Sequence, residues 1–106
     1  MNMKIEHAKE VITSLKDEDK KLESFSSHKF IGRYIEKFES EYIDLLVEEK
    51  KKQDSKKTTD IFREVHSKIG SFLKRNEKEL GIISDGKVTD MNIHHSETPS
   101  EKWNMV

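Results

Sequence analysis

Cysteine is absent from this chain, which removes disulfide scaffolds, cysteine zinc sites and thiol nucleophiles together. Long apolar runs are missing as well. The first residues, Met1-Asn-Met-Lys-Ile-Glu-His7, lack the apolar stretch of a signal peptide, and nothing approaches the roughly 20 apolar residues that cross a bilayer. A cytoplasmic protein without membrane contact is the expectation. Charge of a single sign is lacking too: 20 basic and 21 acidic residues nearly cancel, so attraction to nucleic acid would have to come from a local patch. Hydrophobic residues make up 32% of the 106 positions against 39% charged, which is lean for a core that must stand alone and suggests a partner surface.

Catalytic signatures are equally scarce. The chain has no glycine-rich phosphate loop, no Gly-x-Ser-x-Gly and no His-Glu-x-x-His, and its many carboxylates fall on polar helix faces. A non-enzymatic protein that needs no cofactor follows from these absences.

What is present is helical periodicity. Ile5, Ala8, Ile12, Leu15 and Leu22 step by threes and fours, with Asp19 in the remaining seat, and predict an amphipathic helix from Met3 to about Glu23. Ser24-Phe-Ser-Ser27 interrupts it and offers N-caps for a second helix from His28, whose stripe is Ile31, Ile35, Phe38, Tyr42 and Leu45, widened by Tyr34, Leu46 and Val47. The charged run Glu48–Lys57 reads as a frayed end and loop. Thr58, Thr59 and Asp60 can cap a third helix with the stripe Phe62, Val65, Ile69, Phe72, Asn76 and Leu80, ended by Gly81. The Asp85-Gly86 pair between two strand-like runs predicts a small hairpin, and Thr98-Pro99-Ser100-Glu101 has the spacing of a helix start, which predicts a short terminal helix carrying Trp103.

One pattern occurs twice: His28-Lys-Phe-Ile31-Gly32-Arg-Tyr34-Ile35 and His66-Ser-Lys-Ile69-Gly70-Ser-Phe72-Leu73. Glycine inside a helix costs about 1 kcal/mol relative to alanine, so Gly32 and Gly70 are expected to allow close approach of a neighbouring helix or ring. The alternative is a functional pair formed by His28 and His66. His94 and His95, with Asp90 and Glu97 nearby, carry nitrogen and oxygen donors, yet a metal site would need further ligands from elsewhere. Lys51, Lys52, Lys56 and Lys57 form the densest positive patch, without the aromatic neighbours that stack on bases. Trp103 serves either as an anchor of the tail or as a binding hot spot.

The fold expected from these signals is mainly α: a three-helix up-down bundle over residues 1–80, with a C-terminal β-hairpin and short helix over 81–106 packed on the same single domain. The interface and packing residues expected are Ile31, Gly32, Tyr34, Ile35, Phe38, Tyr42, Ile69, Gly70, Phe72 and Trp103. The expected function is that of a small non-catalytic interaction module, a regulator or inhibitor of antitoxin or immunity type, acting on a protein partner through a helical face and self-associating as a homodimer. A DNA-binding regulator is the alternative, since helices followed by a hairpin invite comparison with winged-helix domains, although the two long helices exceed what such a domain uses. A metal-binding protein using the C-terminal histidines is the third reading.

Overall fold

The computed structural model describes residues 3–53 and 60–106. Among them five helices and three strands follow one another: α1 (Ile5–Glu18), β1 (Ser24–Ser26), α2 (Ser27–Lys37), α3 (Glu39–Gln53), α4 (Ile61–Arg75), α5 (Glu77–Leu80), β2 (Ile82–Met91) and β3 (Glu97–Met105). The protein is mainly helical with a C-terminal hairpin. No helix of the described residues is long and apolar enough to cross a membrane.

The first helix buries Ala8, Val11, Ile12 and Leu15 and stops at Glu18, one turn earlier than its periodicity predicts. Asp19 explains the stop. It is the C-cap, and its carboxylate accepts from the Lys21 amide, so the residue that looked like a flaw in the stripe turns the chain instead.

The two long helices expected after Ser27 are four. The second breaks at Phe38, whose φ of −132° and ψ of 48° leave the helical region. Its ring stacks on His7 of α1, with centroids 4.2 Å apart and planes 14° apart, so a contact between helices holds the break that neither proline nor glycine marks. The other breaks at Asn76, the C-cap of α4, whose Nδ2 donates to the Phe72 carbonyl. Asn76 is thus where the helix leaves the core. Gly81, with φ of 67°, ends α5 in the left-handed conformation that glycine adopts without strain.

Ser26, the last residue of β1, accepts from the Lys29 amide and caps α2. The sheet order is β1-β3-β2, antiparallel throughout, with Phe25 opposite Trp103. The hairpin differs from expectation in two ways. Asp85-Gly86 lies inside β2 at a register shift between Ser84 and Lys87, where Gly86 at φ 73° supplies the left-handed residue of a bulge. The reversal occurs further on. Asn92 and Ser96 close a loop whose Asn92 side chain accepts from the His94 and Ser96 amides, and His95 takes the left-handed position at φ 61°.

The predicted terminal helix is also corrected, since Glu97–Met105 is β3. Trp103 is 1% exposed and donates from Nε1 to the Ser27 hydroxyl at 2.8 Å, so burial of the largest side chain outweighs a local capping signal. Proline is tolerated because β1 pairs only with Lys102–Asn104; beside Pro99 no strand faces that edge of β3. The opposite edge of the sheet is guarded. Ser84 donates its amide to Glu77 at 2.6 Å and Met91 donates to Asp90 at 2.8 Å, so side chains engage amides near both ends of β2.

One core cluster joins all of these elements, from Met3 and the α1 stripe through Phe25, Phe30, Ile31, Tyr34, Tyr42, Leu45, Val65, Ile69, Leu73, Leu80 and Ile82 to Trp103. Ile35, Phe38 and Phe72 pack against it half-buried. Most of the stripes expected to need a second chain are therefore covered by the chain itself, with Val47 and Phe62 left exposed. The glycine reading fails as well. A Cβ added at Gly32 or Gly70 would meet nothing within 4 Å, so neither glycine serves a close approach.

Candidate functional site

Three of the five histidines converge on one cleft of about 500 Å³, lined by His28, Asp60, Phe62, Arg63, His66, Asn92, His94, Thr98 and Pro99. Each arrives from a different element. His28 stands in the first turn of α2, His66 on α4, and His94 at the hairpin tip, where its ring meets Phe62 edge-on at 5.3 Å between centroids.

The hairpin is tied to α2 beneath the cleft. Ser26 donates its hydroxyl to the Asp90 carboxylate while accepting from the Lys29 amide, and Ser100 accepts from the His28 amide at 3.1 Å. His28 Nδ1 donates to the Asp90 carbonyl at 3.2 Å, and Thr98 Oγ1 lies 3.5 Å from Nε2. The Ser26 hydrogen bond holds the Asp90 carboxyl below its ordinary value, helped by the Met91 amide and by the charges of His28 and Lys29. The hairpin thus reaches the helices through groups satisfied in their ionised or neutral ground state.

His66 is the most strongly perturbed of the group. Burial, reinforced by His94 and His28, lowers it from 6.5 to about 4, against a smaller opposing effect of Asp60. Its partner Tyr42 is pushed up to about 12, by burial first and by Asp60 second. At neutral pH the tyrosine keeps its proton and the imidazole is uncharged. The Tyr42 hydroxyl and His66 Nε2 share a hydrogen bond of 2.6 Å.

The charge balance inside the cleft is uneven. Asp60 is the sole carboxylate among the lining residues, and its Oδ1 already accepts from the Phe62 and Arg63 amides as the cap of α4. Arg63 has no ion pair among the described residues.

Of the residues singled out in the sequence, the structure gathers His28, His66 and His94 and leaves His95 exposed on the loop. Tyr42 reaches the group through its hydroxyl; Ile31, Tyr34, Ile69 and Trp103 lie in the core below. Lys51 and Lys52 stand on the last turn of α3, where Lys52 pairs with Glu48 at 3.4 Å, and neither lines the cleft. Lys56 and Lys57, like the caps Thr58 and Thr59, lie outside the described residues. No group of three or more His, Asp or Glu side chains among the described residues is placed to hold a metal ion. Arg63, which the sequence groups with the lysine patch as a phosphate contact, lines the cleft, and Asn92 was missed, although an asparagine preceding two histidines and a serine is itself a turn signal.

Comparison with protein families, with curated proteins and with solved structures found no match to this chain.

Proposed function

We propose that the chain is a small cytosolic, non-catalytic interaction module, a regulator or inhibitor that binds another protein at the histidine cleft. The observation that carries this reading is the inward commitment of the cleft's acid–base groups. His66 spends Nε2 on Tyr42, His28 spends Nδ1 on the Asp90 carbonyl, and Asp90 is held by Ser26. Besides the Tyr42–His66 pair, the hydroxyl found nearest an imidazole in the cleft is Thr98 Oγ1, 3.5 Å from His28 Nε2 and so beyond the roughly 2.6–3.2 Å reach of an activated nucleophile. The rim, by contrast, offers what a partner uses: Phe62 is 38% exposed beside Arg63, an aromatic and an arginine at the mouth of a concave surface.

Self-association belongs to the same reading, through α3 instead of the buried stripes. Ile43 and Val47, one turn apart, are 48% and 45% exposed. Sedimentation of the wild type and of Ile43→Asp with Val47→Asp tests it. A dimer lost in the variant supports this face; a monomeric wild type at micromolar concentration removes it.

The partner is sought by capture from host lysate on the tagged protein, with and without nuclease and at low and high salt. A stoichiometric protein held by the wild type and lost with Phe62→Ala supports the proposal. Nucleic acid alone, released by salt, supports the second reading, a DNA-binding regulator. That reading is favoured by the strand order β1-β3-β2 with β1 between α1 and α2, the order of winged-helix sheets. The exposed Lys50 and Lys51 would then contact phosphates, and affinity would fall steeply with salt.

A further inference from the structure

The floor and wall of the cleft carry an inference about the partner's chemistry. Four elements converge there, bringing Arg63 and the Asn92 amide beside the three imidazoles. Arg63 offers a guanidinium without an ion pair among the described residues, and a planar guanidinium matches a carboxylate through two parallel hydrogen bonds. Tyr42 engages His66 Nε2, which leaves Nδ1 as that ring's open nitrogen. Asn92 commits its side-chain oxygen to the His94 and Ser96 amides, so its NH2 is what remains for a ligand. Against these stands Asp60, engaged by the α4 amides.

We propose that the cleft accepts an acidic side chain of the partner, its carboxylate seated between Arg63 and the rings of His28, His66 and His94. Phe62 and Pro99 at the mouth would then pack against the stem of that side chain. The inference rests on the cleft being a protein-binding site, and it adds the class of group that enters.

The chain's net charge of −1 gives no general attraction for an acidic segment, so the attraction is local. Its pH dependence follows from the groups that face the cleft. These are His28 from α2, Tyr42 from α3, Asp60, Arg63 and His66 from the segment leading into α4 and α4 itself, and His94 from the hairpin tip, with Asp90 of β2 held by Ser26 behind His28. Tyr42 remains neutral and Arg63 charged throughout the neutral range. A glutamate side chain is ionised from pH 8 to pH 6, and His66, lowered to about 4, stays uncharged over the same interval.

The test uses the full chain and three short blocked peptides, of three glutamates, three glutamines or three phosphoserines, titrated while histidine ring resonances and affinity are followed. The glutamate peptide should bind roughly tenfold more tightly than the glutamine peptide, as expected for a hydrogen bond to a charged group. It should move the ring signals of His28, His66 and His94 and weaken about tenfold in Arg63→Gln, a change at an exposed side chain. Equal binding of the glutamate and glutamine peptides, no binding of either at 10 mM peptide (about 2.7 kcal/mol of affinity or less), or full affinity in Arg63→Gln would overturn the inference. Preference for the phosphoserine peptide would overturn it in favour of phosphate recognition. Failure here leaves the capture experiment standing. A partner retained by the wild type and lost with Phe62→Ala would then enter the cleft by other chemistry.

Discussion

Acid should destabilise this protein through His66 before its paired carboxylates take up protons. Burial lowers the imidazole from 6.5 to about 4, with His94 and His28 adding to the effect. An unfolded chain protonates the same ring near its ordinary value of about 6.5. Between these values the unfolded state binds more protons than the folded one, so stability rises with pH across that window. The contribution is complete above about pH 6.5 and is lost as pH falls toward 4. At about 1.4 kcal/mol per pH unit the gap sets a ceiling of about 3.4 kcal/mol, and the half-exposed ring, partly screened by water, reduces this to about 2 kcal/mol. Asp90 and Glu49 are held below their ordinary values, so their contributions persist through this window and disappear at lower pH. The assay is urea unfolding of the wild type and of His66→Gln at pH 7.5 and 4.5, since glutamine keeps an acceptor for Tyr42 without titrating. The wild type should lose about 2 kcal/mol more than the variant on acidification. Parallel losses in the two proteins, or a His66 ring that titrates near 6.5 by NMR, would refute the reasoning.

Other consequences are simpler to measure. Gly32→Ala and Gly70→Ala, at helical positions where a Cβ meets nothing within 4 Å, should each stabilise by about 0.5–1 kcal/mol, and a loss in thermal unfolding would restore the close-approach reading. His95→Gly should gain about 0.5–1 kcal/mol by relieving a left-handed backbone that a side chain disfavours, and an unchanged melting temperature would count against strain at the tip. Trp103→Phe should cost about 1–3 kcal/mol, from lost volume and from the unpartnered Ser27 hydroxyl, whereas an exposed hot spot would leave urea stability untouched.

How much of this was legible in the sequence depends on the distance over which the cause acts. Local causes were readable: the serine cap of α2, the aspartate cap of α4 and the glycine that ends α5 all sit where residue type alone places them. The break at Phe38 was invisible because the stripe Ile31, Ile35, Phe38, Tyr42, Leu45 runs through it without a missed step. Its cause is a ring stacked from α1, distant in the chain. Asp85-Gly86 carried the right conformational message in the wrong place, since a left-handed glycine serves a bulge as well as a turn. The strand in place of the last helix had a similar origin. Trp103 pairs opposite Phe25, and that long-range pairing overrides the capping spacing at Thr98.

The repeated pattern unites these lessons, because half of it describes the structure and half does not. Ile31 and Ile69 are buried at equivalent places, 2% and 0% exposed, so each copy anchors its helix to the core at the same step. Histidine three residues before such an anchor lies nearly one turn away, at the margin of the buried face, which is why His28 and His66 are both half-buried at the core's edge. Glycine one residue after the anchor falls off that face, where an added Cβ would meet nothing within 4 Å. The spacing that packs two helices therefore also sets two imidazoles along one border, and the hairpin, held to α2 through Ser26 and Asp90, brings the third against Phe62. The cleft arises from the core's own geometry. A change at either anchor, such as Ile69→Val, should accordingly cost about 0.5–1.5 kcal/mol in stability and also move the His66 ring signal. A variant that loses stability with the His66 resonance unmoved would separate the two roles that the repeat joins.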